Sequence, residues 1–284
     1  MMLRANNFDV MTHQWGDKSN PPLLLLHGFL GSGEDWRAIA EKLVANFHVI
    51  APDIPGHGAT KPIHSTDASF HSTDAPLEVY SLENVALEML GVLDKLSIET
   101  AYLCGYSMGG RLALFMALRF PERFRKALIL SATAGLRTEE ERHARRASDE
   151  HLAERLETEP FEEFLAFWYH QPLFSSLREH PAFEQIVRKR KDGNPHGAAL
   201  SLRGMGTGSQ PPLWAELPRN TLTITFMAGA LDKKFTVLAE KLHANTPHSA
   251  LHIVPNAGHA LHYESANTIV EYCNYFLSLS NTNR

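Results

Sequence analysis

Ala101-Tyr102-Leu103-Cys104-Gly105-Tyr106-Ser107-Met108-Gly109-Gly110-Arg111 decides how this chain folds. A short apolar run breaks at Gly105-Tyr106-Ser107-Met108-Gly109, and the helical pattern Leu112-Ala113-Leu114-Phe115-Met116-Ala117-Leu118 begins at once. This is a G-x-S-x-G nucleophile elbow, a strand-to-helix turn so tight that its flanking glycines must lack side chains. The turn holds the serine under backbone strain, with its hydroxyl at the positive end of a helix. Serine between glycines is more often an ordinary loop. The strand before it and the helix after it are what point to catalysis.

Further short apolar strands flank the elbow on both sides. Asp9 to Gly16 reads as an opening strand and turn. Leu23 to Leu26 ends in His27-Gly28-Phe29, and Phe47 to Ala51 ends in Pro52-Asp53-Ile54-Pro55-Gly56-His57-Gly58. Leu82, Val85, Met89, Val92, Leu93 and Leu96 follow helical spacing. Strands over Ala127 to Ser131, Leu222 to Met227 and Ala250 to Val254 come later, before a final helix through Tyr275. Short strands alternating with amphipathic helices predict an α/β fold with a mostly parallel sheet covered on both faces.

Two stretches break this rhythm. His64-Ser65-Thr66-Asp67-Ala68 recurs as His71-Ser72-Thr73-Asp74-Ala75, which suits an exposed loop extension better than a metal site or a repeat architecture. The longer one, from about Arg137 to Leu217, is helical and rich in charge and aromatics. Gly204-Met205-Gly206-Thr207-Gly208 within it is no nucleotide loop, because the strand-loop-helix context is missing.

The 284 residues, 44% hydrophobic and 21% charged, suit one large α/β domain with an insert. A formal net charge of −5 gives no pull toward nucleic acid or anionic membranes. Met1 to Gly16 lacks the apolar core of a signal peptide, and no run approaches a membrane span. Cys104 and Cys273 lie far apart, and Cys104 reads as a small core residue. The expectation is a cytoplasmic protein without structural disulfides. Its oligomeric state is open, with a monomer compatible.

A serine needs a base to take its proton, and the base needs a third group to fix its tautomer. Behind this elbow the partners follow in the order serine, acid, histidine. Asp232 follows the strand ending at Met227, and His259 follows the one ending at Val254. With Ser107 they form the expected triad. His262, inside the start of the last helix, ranks second as base. The backbone N–H groups of Phe29 and Met108 are the expected oxyanion donors. Asp53 and His57 read as loop architecture.

Residues in this arrangement define the α/β-hydrolase superfamily, which the chain resembles from about Asp9 to Leu279. The insert and elbow are more specific. Gly105 to Arg111, Phe167-Trp168-Tyr169-His170-Gln171-Pro172-Leu173-Phe174 and Ser201-Leu202-Arg203-Gly204-Met205-Gly206-Thr207-Gly208 resemble signatures of the 2-succinyl-6-hydroxy-2,4-cyclohexadiene-1-carboxylate synthases of menaquinone synthesis. The duplicated stretch at 64–75 departs from that family. The resemblance implies a hydrolase core at 1–136 and 218–284, with a helical lid at 137–217. It implies a lyase that eliminates pyruvate from 2-succinyl-5-enolpyruvyl-6-hydroxy-3-cyclohexene-1-carboxylate, with no metal or organic cofactor. Ser107, activated by His259 and Asp232, takes a carbon-bound proton.

A polycarboxylate needs fixed positive charge, and arginine offers a fork that matches carboxylate. Arg111 lies one helical turn past Ser107. Arg145 and Arg190 match the family's substrate-binding arginines, with Arg188 a neighbour of the latter. Tyr106, Trp168, Tyr169 and Phe174 are the expected aromatic wall. Two other readings keep the same fold. A carboxylic-ester or thioester hydrolase would use the same triad through an acyl-Ser107. A ligand-binding receptor would not require the triad.

Overall fold

Leu23, Leu24, Leu25 and Leu26 are all fully buried, and a strand apolar on both sides needs cover on both faces. The computed structural model, which describes residues 1–63 and 76–278, supplies that cover. In chain order the strands are β1 (Met2–Arg4), β2 (Phe8–Trp15), β3 (Pro22–Leu26), β4 (His48–Pro52), β5 (Lys61–Pro62), β6 (Ala101–Tyr106), β7 (Phe124–Leu130), β8 (Thr223–Gly229) and β9 (Ser249–Val254). Among the described residues they form one sheet in the order β1-β2-β4-β3-β6-β7-β8-β9, with β5 on β2. β4, β3, β6, β7, β8 and β9 run parallel, while β1, β2 and β5 join antiparallel.

Alternate residues of each strand feed opposite cores. Leu24, Leu26 and Leu103 face one, together with α2 (Leu82–Lys95), α3 (Met108–Arg119) and the buried residues of α9 (Lys233–Ala244). Leu23, Leu25 and Cys104 face the other, with α1 (Arg37–Leu43), Leu261 of the short α10 (Leu261–Glu264) and α11 (Ala266–Ser278). Ser81 caps α2 by accepting from the Asn84 N–H, as its position before the apolar pattern requires.

Between β7 and β8 the chain leaves the sheet. It forms α4 (Glu139–Thr158), α5 (Phe161–His170), α6 (Ser175–Arg178), α7 (Phe183–Arg190) and α8 (Pro195–Met205). Thr138 and Glu141 make a capping box that starts α4. That helix buries only Asp149, Ala153 and Leu156, and is tied to α8 by Arg203, which grips Glu150 and Glu157 at 2.7 Å each.

Two strands go beyond the sequence expectation. β1 and β5 have three and two residues, too short for a periodicity to register. The duplicated stretch at 64–75 and Leu279 lie outside the described residues. Among the described residues no helix is long and apolar enough to cross a membrane.

Candidate active site

β3 and β6 are neighbours with Leu26 opposite Gly105, so the turns that leave their C-terminal ends meet. The chain order reverses at this pair, since β3 leads to β4 on one side and β6 lies on the other. In open α/β sheets such a switch point opens a crevice for ligands. Ser107 sits there at φ 53°, a conformation that side chains rarely adopt. Two glycines make that possible. A Cβ on Gly105 would strike the Gly109 carbonyl, and one on Gly109 would strike the Leu26 and His27 carbonyls.

The three expected triad residues come together from 152 residues of separation. His259 Nε2 lies 3.0 Å from Ser107 Oγ, and its Nδ1 lies 2.7 Å from Asp232 Oδ2. Asp232 also accepts from the Phe235 N–H through its other oxygen, at 3.1 Å. Both Asp232 and His259 are buried, so the carboxylate is free to orient the imidazole with little competition from water. Met108 opens α3, where the first N–H groups have no acceptor within the helix. Phe29 lies in the turn after β3, and both residues line the cavity that contains Ser107.

Two residues that the sequence did not single out hold the His259 loop. Glu264 accepts from the Gly258 N–H at 2.8 Å and from the Ala260 N–H at 2.9 Å, one carboxylate oxygen on each side of the histidine. Ser131 donates its hydroxyl to the His259 carbonyl at 3.0 Å. Small displacements of a catalytic group cost up to about 10²-fold in rate. Glu264→Ala is therefore expected to lower kcat by roughly tenfold while KM moves little, measured by steady-state turnover. An unchanged kcat would remove Glu264 from the positioning of His259.

The cavity over the serine encloses about 750 Å³. Helices of the insert form much of its wall, through Arg145, Trp168, Tyr169, Ile186 and Met205. Phe174 and Tyr106 approach His259 with ring centroids at 6.1 and 5.4 Å, and Trp168 meets Phe29 at 5.1 Å. All four expected aromatics line the cavity.

The three arginines differ in what they have to offer. Arg111 donates to the Met205 carbonyl at 2.6 Å and to Gln210 Oε1 at 3.2 Å, with no carboxylate partner among the described residues. Burial, then the nearby Arg145 charge, push its pKa down to about 10, so it stays protonated at neutral pH. The Asp149 carboxylate acts on it only at a distance, and a buried cation with no carboxylate in direct contact can receive one from a ligand. Arg145 donates from Nε to Asp149 at 2.7 Å and also lines the cavity. Arg190, the third arginine expected to bind substrate, has most of its donors engaged within the protein. It lines the cavity, but Asp35 accepts from Nη1 and Nη2 at 2.8 and 2.7 Å, the Tyr169 hydroxyl accepts from Nε at 3.1 Å, and the Tyr263 hydroxyl accepts from Nη2 at 3.2 Å. Arg188 is exposed and does not line the cavity.

The rival base is unsuited to its task. His262 is buried against Tyr106 at 4.1 Å, and burial pushes its pKa down to about 3. Asp53 and His57 behave as loop architecture. Asp53 accepts from the N–H groups of Gly33 and Ala59, and burial pushes His57 down to about 3. Among the described residues no group of three or more His, Cys, Asp or Glu side chains could hold a metal ion.

Residues 21–266 match the family model described as the alpha/beta hydrolase fold. The 2-succinyl-6-hydroxy-2,4-cyclohexadiene-1-carboxylate synthase of Escherichia coli O1:K1 is 31% identical over 255 residues, covering 90% of this chain and 93% of that protein. A Bacillus subtilis (strain 168) protein provisionally assigned the same name is 35% identical over 268 residues, covering 93% of this chain and 92% of the other. The solved structure of MenH from S. aureus superposes with a TM-score of 0.83 at 30% identity, covering 95% of this chain and 98% of that one.

Proposed function

Since this chain belongs to the α/β-hydrolase fold family and, within it, to the 2-succinyl-6-hydroxy-2,4-cyclohexadiene-1-carboxylate synthases, we propose that it is a carbon–oxygen lyase of menaquinone synthesis. Its substrate is 2-succinyl-5-enolpyruvyl-6-hydroxy-3-cyclohexene-1-carboxylate. Ser107, with His259 accepting its proton, removes the hydrogen from ring carbon 2, next to the succinyl carbonyl. The electron pair of that C–H bond becomes the C2=C3 double bond as the existing one shifts to C4=C5. The C5–O bond breaks with the pair leaving on oxygen, and the enolate so released takes one proton on its methylene carbon and becomes pyruvate. No bond to Ser107 forms. The N–H groups of Phe29 and Met108 are the donors for the oxyanion that develops at the succinyl carbonyl. Tyr106, Trp168, Tyr169 and Phe174 wall the ring, Arg190 stiffens that wall, and residues 137–217 act as a lid.

One observation carries this reading over ester hydrolysis. Arg111 stands one turn past Ser107, buried, protonated and bonded to no carboxylate, and the nearest acid to act on it, Asp149, is already paired with Arg145. A pocket for neutral esters would gain nothing from that charge, whereas a tricarboxylate supplies its missing partner. Hydrogen bonds to charged groups contribute about 1.5–3 kcal/mol each. Arg111→Ala is therefore expected to cut kcat/KM for the tricarboxylate by roughly 10- to 100-fold, while hydrolysis of a small neutral ester, if the wild type shows any, changes far less. Equal kcat/KM for mutant and wild type on the tricarboxylate would take Arg111 out of the site.

A further inference from the structure

The cavity has a basic limb that the steps above leave unused. α9 begins directly after the triad acid with Lys233 and Lys234, and Lys233, Lys234 and Lys241 all line the cavity that holds Ser107. Lys234, Leu238 and Lys241 follow at spacings of four and three residues, which puts them on one helix face. The three lysines are exposed, and none forms an ion pair among the described residues; Lys234 only lies over the Phe235 ring at 5.5 Å.

Lys241 lies in the last turn, where a cation suits the macrodipole, but nothing in the helix favours Lys233 and Lys234 in the first. Its first turn holds no acidic residue, and cations at a helix N-terminus oppose the macrodipole. The Phe235 ring offers Lys234 only a weak contact and the Asp232 carboxylate is engaged with His259, so two cations here break a local rule in a way that points to a functional demand. The insert adds a further charge to the same cavity, Arg137, whose guanidinium lies 4.0 Å over the Trp214 ring. The acids of the cavity are already occupied. Glu141 caps the Arg137 and Thr138 N–H groups, Asp232 holds His259, and Asp35 holds Arg190. Four arginines and three lysines thus line the cavity against three carboxylates, in a chain whose formal net charge is −5. A polyanion approaching this chain meets an unfavourable net charge, and a basic limb beside a low-dielectric cleft reverses the local field.

We propose that Lys233, Lys234 and Lys241 form a cationic entrance that draws a polycarboxylate into the cavity. The identity of the polycarboxylate rests on the lyase reading; the charge it must carry does not. Steering of this kind raises association rates by about 10- to 10³-fold and fades with salt, as the screening length shrinks from about 10 Å at 0.1 M. It acts on capture, so its loss falls on KM.

The test is the triple variant Lys233→Gln, Lys234→Gln, Lys241→Gln, which keeps chain length and removes charge from exposed positions. Two readouts are taken at about 0.02 M and 0.5 M salt: kcat and KM for pyruvate release, and the Kd of propane-1,2,3-tricarboxylate by calorimetry. At low salt kcat/KM is expected to fall about tenfold with kcat within twofold, Kd is expected to weaken in parallel, and both deficits are expected to shrink below twofold at high salt. Values within twofold of wild type at low salt would overturn the entrance, as would a deficit undiminished at high salt. A wild type that releases no pyruvate, with a salt-dependent loss of tricarboxylate binding in the variant, would sink the lyase reading and leave the entrance standing.

Discussion

Ser107→Ala is expected to slow pyruvate release by about 10²–10⁴-fold in kcat, the range for removal of a positioned general base. The hydroxyl stands 3.0 Å from His259 Nε2, and Asp232 fixes the opposite ring nitrogen, so the proton has one continuous route from substrate to imidazole. His259→Gln is expected to cost about as much, since serine and histidine act as one unit. The serine variant should fold normally. Alanine meets the same φ of 53° that serine does, and the turn depends on Gly105 and Gly109 rather than on the hydroxyl. Single-turnover pyruvate release by the purified variants decides the matter. A Ser107→Ala enzyme within tenfold of wild type, beside a dead His259→Gln, would assign proton abstraction to the imidazole alone.

Asp35→Ala is expected to be the most damaging single change to stability. Asp35 and Arg190 have side chains 2% and 6% exposed, and the pair joins the turn after β3 to the end of α7. Removing one partner leaves a buried charge, at a cost of about 3–5 kcal/mol. In a chain of this size that corresponds to a Tm drop on the order of 10 °C. The double variant Asp35→Leu, Arg190→Met should recover much of the loss, because it buries no charge at all. A thermal melt of the three proteins checks this, and a single variant within 2 °C of wild type would contradict it. The same pair gives a pH dependence. Although burial alone would raise it, the Arg190 charge holds the Asp35 carboxyl down at about 2. Its folded value lies below its unfolded one, so the stabilisation is complete above about pH 4 and drains away as pH falls through about 2.

The elbow and triad were readable because their signals are local. Glycine spacing marks the turn at Ser107, and strand ends announce Asp232 and His259. The aromatic wall was readable through the strings around Trp168 and Tyr169. The polar contacts that set the site were not. Asp35 and Arg190 are 155 residues apart, and no periodicity links an acid in a short turn to an arginine on a distant helix. The sequence therefore presents Arg190 as a cavity arginine, and its pairing with Asp35 emerges only in the fold. Glu264 looks like an ordinary acid at the start of the last helix, and only the folded loop reveals that it grips both neighbours of His259. The lysines of α9 lay in plain sight next to Asp232. Their significance came from the cavity they line, which the sequence alone does not draw.

The measurement that tests the central claim most directly is pyruvate release from freshly prepared 2-succinyl-5-enolpyruvyl-6-hydroxy-3-cyclohexene-1-carboxylate, corrected for spontaneous decay. Intact-protein mass is recorded during turnover. The account predicts rapid release of one pyruvate per cyclohexadiene formed, with the protein mass unchanged throughout. Release at the background rate would contradict the assigned substrate, and an acyl adduct on Ser107 during turnover would contradict proton abstraction and favour ester hydrolysis.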